Sequence, residues 1–107
     1  MLNNPTSRAD IVQYSVPTAG QTVTVNPETT LLILEPAGLL ATLTVNMAAG
    51  APANGDGHRL NIMSTQVVTT LTHGAGAGNT LVGALTTIAA VGFATYCYRA
   101  TKWYRSA

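Results

Sequence analysis

Apolar and polar positions alternate strictly in "LATLTVNM": Ala41, Leu43, Val45 and Met47 face one way, Thr42, Thr44 and Asn46 the other. That is the period of two expected of a strand with one buried face. "QTVTVN" alternates in the same way, with Val23 and Val25 inward, and "HRLNIM" puts Leu60 and Ile62 inward while Arg59 and Asn61 point out. "TTLLIL" is apolar on both faces and is bracketed by Pro27 and Pro36, which predicts a central strand or one covered by a partner. Turn signals at 17–20, 26–28, 35–38, 49–57 and 73–79 cut the chain into short segments rich in Val, Thr, Leu and Ile. The pattern predicts an all-β fold, a single-domain β-sandwich or jelly-roll-like barrel over residues 11–107, preceded by a flexible polar N-terminal arm at 1–10.

The last third admits two readings. Residues 81–98 carry no charge and are followed by the basic and aromatic "RATKWYR", the length and flank of a single-pass membrane helix. Gly83 and Gly92, the β-branched Thr80, Thr86, Thr87 and Thr95, and the alternation of "FATYCYRA" favour strands instead. The preferred reading has strands at about 80–89 and 93–100 with "AAVG" turning between them and no membrane contact.

Composition adds a surface argument. The 107 residues suffice for one domain, and only 8% are charged, against roughly 25% in an average soluble domain. So thin a charge coat implies that much of the surface is covered by copies of the chain or by a larger assembly. A net charge of +1 argues against general electrostatic binding of nucleic acid. The charge is divided: residues 1–56 hold Arg8 against Asp10, Glu28, Glu35 and Asp56, whereas residues 57–107 hold Arg59, Arg99, Lys102 and Arg105 and no acid. Opposite ends are therefore suited to meet across subunits. Cys97 is the single cysteine, which excludes an intrachain disulfide and a Cys-based zinc site. The N-terminus lacks the basic-then-apolar pattern of a signal peptide, and no N-x-S/T site survives because Asn4 precedes Pro5.

Motifs for chemistry are weak. In "THGAGAGNT", Gly74 and Gly76 fit a dinucleotide fingerprint but Asn79 stands at the third required position, and residues 73–98 contain no Lys or Arg to serve a phosphate loop. The segment after the loop reads as strand, so no helix N-terminus is available to an anion, and the loop reads as a turn or an assembly contact. His58, His73 and Asp56 are of ligand type but lack tight metal-ligand spacing, and Ser64, His73 and Asp56 lack the nucleophile elbow of a hydrolase. Glu28 and Glu35 lie seven apart, which puts them on opposite faces of the intervening strand. No catalytic residue, cofactor or metal is expected. A carbohydrate- or ligand-binding β-domain would carry several aromatics in loops, whereas here they gather near the C-terminus. There, Tyr96, Tyr98, Trp103 and Tyr104 accompany Arg99, Lys102 and Arg105, the residue types enriched where partners pack, and these seven are the expected interface.

"TVTVNPETTLLILEPAGLLATLTVNM", "NGDGHRLNIMS" with Asp56 and Gly57 in a D-G turn, "VVTTLTHGAGAGNTLVG" and the closing "FATYCYRATKWYR" together resemble small β-rich phage virion proteins: head decoration or cement proteins and the base domains of fibres and spikes. The resemblance spans roughly residues 15–105 and rests on turn and strand patterning. It implies a β-sandwich or jelly-roll-like subunit, usually trimeric, on the capsid exterior, clamping neighbouring major capsid proteins at threefold or quasi-threefold axes, without catalysis. The lack of a long repeat or stalk downstream favours decoration over a fibre or spike attachment domain.

Overall fold

The computed structural model describes residues 10–89 and 91–106, so all but the last residue of the expected arm lies outside the described residues. The described chain is all-β, with nine strands and no helix: β1 Val12–Ser15, β2 Thr22–Thr24, β3 Leu31–Leu34, β4 Leu40–Asn46, β5 Arg59–Ser64, β6 Val68–Gly74, β7 Thr80–Val82, β8 Gly92–Arg99 and β9 Lys102–Arg105. They form a six-stranded sheet in the order β1-β3-β5-β8-β9-β7 and a three-stranded sheet in the order β2-β4-β6.

The first six strands alternate between the two sheets, and every pairing among them is parallel. The chain therefore winds as a short coil. Val12 aligns with Leu31 and Leu31 with Asn61, so successive turns take 19 and 30 residues. Jelly rolls and most sandwiches are antiparallel, joined by hairpins and Greek keys. A parallel neighbour needs a crossover, which here is the strand in the opposite sheet. The corners are stitched rung to rung: Val25 N–H donates to Asn46 O at 2.8 Å and Met47 N–H to Gly74 O at 2.8 Å.

Inward side chains of both sheets share one core. Val23 and Val25, Leu43, Val45 and Met47, and Leu71 come from the smaller sheet side; Leu32, Leu34, Leu60 and Ile62 come from the larger. The predicted alternation thus holds for β2, β4 and β5, with one slip. Ala41, predicted inward, is exposed, and Leu40 takes the core position. Its partner strand slips at the same place: Leu40–Leu43 and Val68–Leu71 both run buried, exposed, exposed, buried, and Leu40 pairs with Val68. A bend common to two adjacent strands preserves their ladder where an isolated one would break it.

The C-terminal strands close the coil differently. β8 runs antiparallel to β5, β9 antiparallel to β8, and β7 parallel to β9. The hairpin β8–β9 is thus inserted between the third rung and β7. Over the smaller sheet, residues 84–89 continue the layer without regular structure, held by reciprocal bonds between Val68 and Ile88 at 2.9 and 3.0 Å and by Leu71 N–H to Thr86 O at 2.8 Å. The strand predicted over about 80–89 is therefore only β7, and it pairs with β9 rather than with the strand that follows it. The membrane-helix alternative for residues 81–98 is corrected: β7 and β8 occupy that span, and among the described residues no helix is long and apolar enough to cross a membrane. Thr80 in β7, paired to β9, and Thr95 in β8, paired to β5 and β9, take strand positions in spite of the absence of charge.

Candidate interaction surface

His58, Ser64 and Asp56 have hydrogen-bond partners within the fold, while His58 Nδ1 and His73 Nε2 are buried without one among the described residues. His58 is buried, its Nε2 2.8 Å from Thr29 O and its ring edge-on to Trp103 at 5.9 Å. His73 lies edge-on to Tyr96 at 5.0 Å, and burial lowers its pKa to about 4. Ser64 Oγ donates to Gln66 O at 2.7 Å, and Asp56 accepts from Ala100 N–H at 3.0 Å, fixing the β8–β9 turn. Among the described residues no group of three His, Cys, Asp or Glu side chains could hold a metal.

The glycine-rich loop is a packed corner. A Cβ on Gly76 would stand 2.3 Å from Ala48 O, so the backbone of one rung rests directly on the rung before it. Asn79 Nδ2 donates to Gly50 O at 2.8 Å, with Ala75 O and Ala48 O at 3.3 and 3.4 Å, and Asn79 Oδ1 accepts from the Tyr98 hydroxyl at 3.1 Å. The loop's own carbonyls are also taken: Ala77 O accepts from Gly50 N–H at 3.0 Å. The Asn79 backbone N–H in turn donates to Gly76 O at 3.1 Å, so the loop is tied both to itself and to the preceding rung.

The seven residues expected at an interface separate into two groups. Tyr96, Tyr98 and Trp103 point inward and are buried, Trp103 being only 4% exposed. Tyr98 meets Trp103 edge-on at 5.1 Å, and burial raises the Tyr96 pKa. These three are core residues, a correction with a simple cause: in a strand, alternate side chains share a face, and the face that Tyr96 and Tyr98 share is the one toward the smaller layer. Arg99, Lys102, Tyr104 and Arg105 are exposed. The register places Arg99 opposite Lys102 and Cys97 opposite Tyr104, on the outer face of the six-stranded sheet.

That outer face carries a feature the sequence pattern did not single out. The ladder lines up Tyr14, Ile33, Met63 and Phe93 in one row and Val12, Leu31, Asn61 and Thr95 in the next. Phe93 is 69% exposed, Val12 and Tyr14 are more than half exposed, and Val91 beside the row is 75% exposed. Leu31, Met63, Val91 and Phe93 line a shallow groove with Asn61. Asn61 is satisfied on the face itself, accepting from Thr95 Oγ1 at 2.7 Å. Val91 has φ +55, a left-handed conformation that β-branched residues rarely adopt. The signal in sequence was the two-sided apolarity of "LLIL", read as central or covered; β3 is central, and its outward Leu31 and Ile33 begin the patch.

The charges lie at the margins of this face. Glu35 follows β3, and its carboxylate accepts from the Tyr14 hydroxyl, a bond that raises the phenol's pKa. Asp10, accepting from Thr30 Oγ1 at 3.0 Å, precedes β1 and lines a groove with Arg59 and Asp56 at the other end of the strands. Arg99 and Lys102 stand across the sheet at the β8–β9 turn. No family model, curated protein or solved structure matches the chain.

Proposed function

We propose that the chain is a non-enzymatic structural protein of a virion: a decoration or cement subunit that acts as a homotrimer on the exterior of a phage capsid, bound to the major capsid protein. The exposed apolar face of the six-stranded sheet is the observation that carries this reading. Monomeric soluble proteins rarely leave contiguous apolar surface of that kind open, and rimmed patches mark places where partners pack. The low charge content and the internal hydrogen bonds of His58, Ser64 and Asp56 support it. The two layers serve as a sandwich-like body: rigid, small and able to span a boundary between neighbouring capsid subunits. Many modest contacts repeated over a shell would resist its expansion through multivalency, without any strong single bond. Before assembly the subunit resides in the host cytoplasm, and it takes no nucleic acid, membrane or cofactor as partner.

The test is reconstitution. Heads of the encoding phage assembled without this protein are mixed with the purified chain and sedimented; the chain should saturate at a fixed ratio to the major capsid protein and raise the temperature at which heads rupture. Absence of the chain from the head fraction at every concentration refutes the reading.

A further inference from the structure

The outer face of the six-stranded sheet is apolar along the row from Tyr14 to Phe93 and carries Glu35 beside β1 and Arg99 and Lys102 at the β8–β9 turn, which restricts what can cover it. We propose that it is covered by further copies of this chain, arranged so that Glu35 beside β1 of one copy meets Arg99 and Lys102 at the β8–β9 turn of the next, with Phe93, Val91 and Tyr14 buried in the shared interior. The proposal rests on the reading of the chain as an assembly subunit and names the surface and polarity of its self-contact.

Two observations identify the occupant as a copy of the chain. The first is charge. Glu35 lies beside β1 and Arg99 and Lys102 at the β8–β9 turn, so each subunit carries both halves of a complementary pair on one face. A contact between like ends would set Glu35 against Glu35 and Lys102 against Lys102, which is repulsive; a head-to-tail contact sets Glu35 against Arg99 and Lys102. The second is area. The exposures of Val12, Tyr14, Val91, Phe93, Val82 and Tyr104 together expose on the order of 700 Å² per copy, close to the roughly 800 Å² that each partner contributes to a stable interface. Aromatic side chains in the middle and arginine at the rim match the anatomy of such contacts. Val91 fits the same picture, since a strained, exposed β-branched residue is the kind of outlier found at functional surfaces.

The experiment uses the purified full chain without capsids, so that self-contact is read separately from head binding. Sedimentation velocity should show a stable multiple of the 11.0 kDa chain at tens of micromolar. Phe93→Asp should weaken association at least about tenfold while leaving the thermal unfolding of the subunit unchanged, because the side chain is outside the core. Glu35→Lys and Lys102→Glu should each weaken association several-fold, and both together in one chain should recover most of the loss. Leu39→Asp, at an exposed residue in the β3–β4 connection, should leave association unchanged. A chain that is monomeric throughout, an oligomer indifferent to Phe93→Asp, or a charge swap no better than its single changes overturns the proposal. Heads that bind a strictly monomeric chain would overturn it while sparing the virion reading; an oligomer that fails to bind heads would do the reverse.

Discussion

Replacing Trp103 by alanine distinguishes a core anchor from a contact residue. The indole is 4% exposed, with the Tyr98 ring edge-on at 5.1 Å and the His58 ring at 5.9 Å. An aromatic side chain of this size buries about 150–250 Å², worth roughly 4–6 kcal/mol at 25 cal/mol per Å². Alanine retains a small part of that, and incomplete collapse of the surrounding rings adds a cavity cost, so a loss of about 3–5 kcal/mol is expected. For a domain whose whole stability is on the order of 5–15 kcal/mol, most of the margin disappears. Urea unfolding followed by far-UV circular dichroism is the suitable assay, because Trp103 is the only tryptophan and fluorescence vanishes with it. Tyr104→Ala, one residue along and facing out, provides the contrast and should cost under about 1 kcal/mol of folding stability. Equal small losses for both variants, with Trp103→Ala instead dissolving the oligomer, would refute the placement of Trp103 in the core.

Three further outcomes are expected. The folded pKa of His73, about 4, lies below the ordinary 6.5, so the unfolded chain takes up the proton first and stability present above pH 6.5 is lost as pH falls toward 4. Between pH 7.5 and 5.5 this amounts to about 1 kcal/mol, and guanidinium midpoints of His73→Phe should lack that part of the decline; an identical decline would exclude His73 as its source. Asn79→Ala removes the donor to Gly50 O and the acceptor for Tyr98, and should cost about 1–3 kcal/mol. Adding Tyr98→Phe should cost less than the sum of the two single changes in chemical denaturation, whereas strict additivity would show that the two side chains are not coupled. Gly57, at φ +87, sits in open space, so Gly57→Val should lose about 1–3 kcal/mol through backbone strain alone, and an unchanged melting temperature would mean that the turn relaxes.

The β8–β9 hairpin shows why part of the fold was hidden. Its two-residue turn is Ala100–Thr101, with φ +50 and +65, although such turns ordinarily use Asn or Gly. What holds it is distant in sequence: Asp56 accepts from Ala100 N–H, and Thr101 O accepts from Thr80 N–H at 2.9 Å. No local signal marks a turn whose partners lie 44 and 21 residues away. The inward placement of Tyr96, Tyr98 and Trp103 is hidden in the sequence for a related reason. Spacing shows that Tyr96 and Tyr98 share a face, but which face is inward depends on what packs there.

The sequence by itself determined what alternation and turn chemistry can encode: an all-β chain, the inward placement of Val23, Val25, Leu43, Val45, Leu60 and Ile62, and turns at Gly57 and in the glycine-rich loop. Those properties are local, since each follows from the pleat of one strand or the φ of one residue. Tertiary structure alone decided that neighbouring rungs run parallel, that β8 and β9 insert between β5 and β7, and that Phe93, Tyr14 and Val91 gather on one open face. A strand's hydrophobic pattern is the same whichever direction its neighbour runs, and residues as far apart as 14 and 93 come to share one row only once four strands have been ordered into one sheet.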